Sequence, residues 1–177
     1  MPKYNNYAYI DGANLHYTYE NLDWELDYQK LLNHLKTKYG VIVAHYFIGK
    51  TPNTQGIYDK LSLYGYNIKL KDPSPYDTEE EVCPHCGEVI TPPERRFKAD
   101  IDSYLTMQLM LDINDFNKAV IITSDGDYDN LVKRLLLQDK LRIVFAPCKK
   151  GCSWLLKSVA RGRIAFIDDY RAELEKI

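Results

Sequence analysis

Short apolar runs rich in β-branched and aromatic residues alternate along the chain with stretches in which apolar positions recur every three or four residues. Tyr7–Ile10, Val41–Ile48, Tyr66–Lys71, Ala119–Thr123, Leu141–Ala146 and Ile164–Phe166 read as strands. Leu31, Leu32, Leu35 and Tyr39 share a helical face ahead of Gly40, a residue suited to a left-handed C-terminal cap. Further helices are predicted at Gly56–Tyr64, at Ile101–Leu111 through Leu105 and Leu109, and at Tyr128–Gln138, Ser153–Val159 and Asp168–Lys176. Ala119–Ile122 is apolar without alternation, which predicts a central strand covered on both faces. Asn67, Lys69 and Lys71 fall on one side of their strand and predict an edge or near-edge position. Strands separated by helices imply right-handed parallel crossovers, hence an α/β fold whose ligands gather beyond the carboxyl ends of the strands.

Residues 72–97 break this rhythm with prolines at 73, 75, 84, 92 and 93, the acidic run Glu79–Glu81 and the turn Cys83-Pro-His-Cys-Gly. They are expected to be a loop insertion within a single domain spanning 1–177, since 177 residues suit one domain. A hydrophobic fraction of 45% and a charged fraction of 27% exclude a disordered or fibrous chain. No apolar stretch approaches the roughly 20 residues of a membrane-spanning helix. The start MPKYNNYAYIDGAN has no apolar signal core, so a cytoplasmic location is expected. A formal net charge of −2 leaves no global positive field, and any nucleic-acid partner must be held by local basic patches.

Two strands end in acidic loops, Asp11-Gly12-Ala13-Asn14 and Thr123-Ser124-Asp125-Gly126-Asp127-Tyr128-Asp129, expected at one edge of the sheet. A third acidic group, Asp100 and Asp102, opens a helix; the two point about 200° apart. Asp102, on the side of Leu105 and Leu109, is expected to face inward. Carboxylates gathered at one edge raise each other's pKa or demand a cation, and oxygen-only ligation suits magnesium or manganese. That chemistry favours phosphodiester hydrolysis. Singly, each Asp reads equally as a helix cap, Asp100 and Asp127 above all. An EF-hand is excluded because Asn130 and Leu136 stand where its loop needs Gly and Glu. Dinucleotide, P-loop and serine-elbow motifs are absent.

Cys83 and Cys86 have the spacing of half a zinc knuckle, and Cys148 and Cys152 follow a strand end at the same edge. A structural zinc on these four cysteines is expected; His85 as a ligand, a site shared between subunits, and free thiols remain open. Such a zinc would brace a loop and take no part in catalysis. Arg95, Arg96 and Lys98 precede Asp102, while Lys149, Lys150, Lys157, Arg161 and Arg163 flank the second cysteine pair. Both runs suit phosphate neutralisation along a substrate track, or a solvated surface. Tyr17, Tyr19 and Trp24 suit either base stacking or packing; His16 reads as a loop histidine.

The segments Tyr9-Ile10-Asp11-Gly12-Ala13-Asn14-Leu15, Asp100–Met110 and Asn117–Tyr128 resemble the NYN domain of the LabA-like group of PIN-like nucleases, in the order and spacing of that family and across nearly the whole chain. The resemblance implies a PIN-like, Rossmann-like three-layer sandwich with a central mostly parallel sheet, the cysteine-containing loop insertion being the main departure. It implies a magnesium- or manganese-dependent endoribonuclease acting on RNA. Asp11 matches the first-strand aspartate, Asn14 the asparagine of that motif, Asp102 the mid-chain aspartate, and Asp125 and Asp127 the acidic pair. Thr123-Ser124 replaces the usual Ser-Gly, and Asp129 is an extra carboxylate, read as solvated. Two other readings stay open: a non-cleaving RNA-binding or protein-interaction module with a zinc-braced loop, and a phosphatase with a closed pocket. Association into a homo-oligomer is compatible with the sequence.

Overall fold

The computed structural model describes residues 4–20, 23–51 and 55–177, so residues 1–3 of the N-terminal stretch lie outside it. Six parallel strands form the central sheet: β1 (Asn6–Asp11), β2 (Val41–Gly49), β3 (Asn67–Lys71), β8 (Ala119–Ile122), β9 (Leu141–Ala146) and β10 (Ile164–Phe166). Their spatial order is β10-β9-β8-β1-β2-β3. From β1 the chain winds outward through β2 to β3, and from β8 it winds the other way through β9 to β10. The direction of winding reverses between β1 and β8, which pair with Ile10 opposite Ile122.

Side chains alternate across these strands, so each central strand feeds two cores. Ala8, Ile10, Val120 and Ile122 join Leu15, Leu31, Leu35, Leu61 and Leu174 on one face. That layer is built from α1 (Gly12–Glu20), α2 (Tyr28–Tyr39), α3 (Gln55–Tyr64) and α7 (Arg171–Leu174). Tyr9, Ala119 and Ile121 join Leu105, Leu109, Val132, Leu135 and Leu156 on the other. This layer comprises α4 (Ile101–Leu111), α5 (Asp129–Leu137) and α6 (Trp154–Val159). The result is an α/β three-layer sandwich, and β3 is an edge strand. Gly40 ends α2 at φ 64°, its amide donating to the Leu35 carbonyl, while the Asp27 carboxylate caps the start of the same helix.

Three segments differ from the sequence pattern. Residues 12–20 form helix α1, although Leu15 is its one buried large apolar residue among the described side chains and its Gly, Asn, Thr and aromatic residues have weak helical preference. Packing of this segment between β1 and β2 sets its conformation. The insertion is not a plain loop but two antiparallel ladders, β4 (Ser74–Asp77) with β7 (Arg95–Lys98) and β5 (Glu81–Val82) with β6 (Val89–Thr91). The closing helix shortens to a 3₁₀ turn, Ile167–Tyr170, and α7, because the chain beyond it pairs with Leu26 through the Glu175 bridge.

Candidate active site

The reversal of winding between β1 and β8 leaves a crevice at the carboxyl ends of these two strands, where open parallel sheets bind ligands. Asp11 is the last residue of β1, and Gly12 turns the chain directly into α1. A Cβ at Gly12 would lie 2.6 Å from the Phe47 carbonyl oxygen, so glycine is what lets the first turn of α1 settle against β2. Asp11 is 4% exposed. Its Oδ1 accepts the Asn14 amide at 2.9 Å, and its Oδ2 lies 3.4 Å from both the Thr123 and Tyr128 hydroxyls. Burial pushes its pKa up to about 6; the Asn14 amide opposes this, and the Asp102 and Asp125 carboxylates add to it.

The loop after β8 is tied to α1 from the other side: Asn14 Oδ1 accepts the Ser124 amide at 2.8 Å. Thr123 Oγ1 accepts the Asp125 amide at 3.1 Å, and Asp125 Oδ1 accepts the Asp127 amide at 3.0 Å. Asp102, on the first turn of α4, accepts the Tyr128 hydroxyl at 2.7 Å. The sequence reading missed Tyr128, whose hydroxyl bridges Asp102 and the buried Asp11; its place directly after the acidic pair was the available signal. Burial, then the Asp11 charge, holds the Tyr128 phenol far above its ordinary range, so it stays a donor.

One oxygen each from Asp102, Asp125 and Asp127 lie within 4.8 Å of one another. Asp11 is not among these three; it sits behind them, engaged by Asn14, Thr123 and Tyr128. Among the described residues no Lys, Arg or His forms an ion pair with any of the four carboxylates. The neighbouring acidic residues are otherwise engaged. Asp100 caps α4 by accepting the Ser103 amide, which draws its pKa below the usual carboxylate range. Asp129 is ion-paired with Lys133 at 2.6 Å instead of freely solvated. Ser124 does not have a positive φ, so the turn needs no glycine there.

Among the described residues the four cysteines are not gathered into one group, so the expected structural zinc finds no support here. Among the described residues, the carboxylate triad is the one group of three or more His, Cys, Asp or Glu close enough to share an ion. The insertion leaves the sheet after the edge strand β3 and holds Cys83 and Cys86 between β5 and β6, whereas Cys148 and Cys152 lie beyond β9. Cys148 and Cys152 are buried, while Cys86 is exposed at the tip of the β5–β6 ladder.

The basic residues divide. Lys149 and Lys150 are exposed in the turn beyond β9, a loop joined to the site by the Ser153 amide donating to the Ser124 carbonyl. Arg95, Arg96 and Lys98 are exposed on β7, with Arg96 paired to Glu94. Arg163 lies at the opposite edge of the sheet, donating to the Leu141 carbonyl at the start of β9. Trp24 is a core residue with Tyr19 edge-on to it, Tyr17 is exposed, and His16 belongs to α1 and not to a loop.

A parallel sheet carrying grouped carboxylates at its switch point places the protein among α/β proteins with an acidic site at the strand ends. The NYN domain family model matches residues 7–167, and the chain belongs to the NYN domain family, part of the PIN-like superfamily and generally of nuclease type. A protein of unknown function from Vibrio parahaemolyticus RIMD 2210633, VPA0982, has a similar crystal structure, with a TM-score of 0.71 at 17% identity and 99% of each chain covered. That likeness concerns the fold. No curated protein matches the chain. Among the described residues no helix is long and apolar enough to cross a membrane.

Proposed function

We propose that the protein is a metal-dependent endoribonuclease that hydrolyses RNA at the carboxylate group. The observation that carries this reading is the Asp102, Asp125 and Asp127 triad, which has no counter-cation among the described residues and is built into the switch point of a nuclease-type fold. Three carboxylates converging without a cation fit a hard divalent ion, and an all-oxygen donor set fits magnesium or manganese. When bound, such an ion supplies Lewis acidity toward a phosphoryl oxygen and lowers the pKa of a coordinated water.

The chain's own residues fix the geometry. Tyr128 and the Asp125–Asp127 turn orient the triad, and Asn14 locks the β8 loop to α1 so that Asp11 and the triad hold a constant relation. Asp11 supplies a further negative charge behind the three, either as a ligand or through Tyr128. Lys149 and Lys150, on the loop bonded to Ser124, would neutralise phosphates flanking a bound one, and Arg95, Arg96 and Lys98 on the insertion would offer a second basic stretch.

The test is cleavage of labelled single-stranded and structured RNA with magnesium or manganese, comparing the native protein with Asp125→Asn. Metal-dependent cutting by the native protein alone supports the reading, and fragment ends report endonucleolytic attack. Two inert proteins, or two equally active ones, refute it.

A further inference from the structure

On the other face of α1 from the carboxylates lies a cavity of about 420 Å³, between α1, α3 and the carboxyl half of β2. Its size falls in the range of small-ligand sites, roughly 300–1,000 Å³. Four tyrosines, Tyr19, Tyr28, Tyr46 and Tyr64, stand in its lining together with His16 and aliphatic side chains such as Ile57. Flat aromatic and aliphatic walls take a planar ring by stacking.

The charges around the opening are unequal. Lys176 is neutralised by Glu25 at 2.6 Å, and the Asp27 carboxylate is engaged in capping α2. Lys60 is exposed, has no ion pair among the described residues and lies 5.9 Å from the Tyr64 ring centroid. One uncommitted cation beside a tyrosine-lined hollow matches a ligand with a planar ring and an anionic group. The cavity also abuts the site, because the Tyr46 ring packs directly under Gly12, the residue after Asp11.

We propose that this cavity binds one nucleotide of the RNA strand, its base among the tyrosines and its phosphate on Lys60, so that cleavage acquires a base preference. The proposal rests on the ribonuclease reading for the source of the nucleotide. Strand passing over the first turn of α1 would present a phosphate to the carboxylates on one side and a base to the cavity on the other.

The test is equilibrium binding of AMP, UMP, adenosine and a short single-stranded RNA in EDTA, where the metal-free carboxylates repel phosphate. Ile57 is 45% exposed, so Ile57→Trp fills the cavity without entering the core. Saturable binding of a nucleoside monophosphate is expected, abolished by Ile57→Trp. Lys60→Ala is expected to weaken the monophosphate about tenfold while leaving adenosine unchanged, and RNA binding is expected to fall in both variants. Urea midpoints equal to the native value establish that the variants are folded. Absence of nucleotide binding, or native-like binding by Ile57→Trp, overturns the proposal. Monophosphate binding that responds to Ile57→Trp while RNA binding does not would assign the cavity to a free nucleotide and refute the RNA placement. Native cleavage with unaltered base preference in Ile57→Trp sinks this proposal alone, whereas nucleotide binding by a protein that never cleaves sinks the ribonuclease reading alone.

Discussion

Replacing Asp11 by Asn should stabilise the metal-free protein at alkaline pH. The amide keeps the shape of the carboxylate: its Oδ1 can still accept the Asn14 amide, and its Nδ2 can donate to the Thr123 or Tyr128 hydroxyl. What disappears is a buried negative charge beside Asp102 and Asp125. The folded pKa of about 6 stands above the ordinary 3.8, so the folded state binds more protons than the unfolded state between those values. Stability therefore falls as pH rises through that window, and the penalty is complete above about 6 and absent below 3.8. About two units of difference correspond to about 3 kcal/mol. Urea denaturation in EDTA at pH 8 and pH 4 measures it. Asp11→Asn should show a higher midpoint than the native protein at pH 8, with an unchanged slope, and the gap should close toward pH 4. Magnesium should then reverse the order by stabilising the native protein more than the variant. A variant less stable than the native protein at pH 8, or a pH-independent difference, would refute the electrostatic argument.

Gly12→Ala forces a methyl group toward the Phe47 carbonyl, 2.6 Å from an ideal Cβ; a loss of about 1–3 kcal/mol is expected by thermal melting, and native-like stability would show that α1 can shift freely. Tyr128→Phe removes the donor to Asp102 and should cost roughly 1.5–3 kcal/mol in metal-free urea denaturation; an unchanged midpoint would mean the bond is not formed in solution. Burial holds both His34 and His45 below the ordinary histidine pKa of 6.5, so their imidazole NMR signals should titrate below that value, and their contribution to stability should decline as pH falls through it. Titration at or above 6.5 would contradict their packing.

The parts of the fold that rest on local pattern were legible in the sequence. Ala119–Ile122 read as a covered strand, because four consecutive apolar residues between polar flanks are too short for a helix and leave no wet face. Gly40 marked the end of α2 because a left-handed residue was needed there. Helix α1 was hidden because its aromatic and Thr residues do not repeat as a helical stripe, and its conformation comes from contact with β1 and β2. The ladders of the insertion were hidden by prolines; Pro75 sits on a short two-stranded ladder opposite Phe97, where a missing amide is tolerated. Among the acidic residues, the 100° step along a helix separates Asp102 from Asp100, and the structure places Asp102 beside Asp125 and Asp127 while Asp100 caps α4. The cysteine pairs illustrate the limit. Both pairs sit in loops, and sequence does not state how the β5–β6 ladder that carries Cys83 and Cys86 is placed relative to the loop beyond β9.

The pairing of β1 with β8 also fixes when the site can exist during synthesis. Asp11 and Thr123 are 112 residues apart in the chain, so their contact closes a very long loop, one of the slower steps available to a fold of this size. Asp11 and Asn14 can pair with each other and dock on β2 beforehand, but their contacts to Thr123, Ser124 and Tyr128 must wait until β8 and its loop have followed. A nascent chain therefore carries separated carboxylates and no assembled centre, and the acidic group closes only once the second half of the sheet docks onto the first.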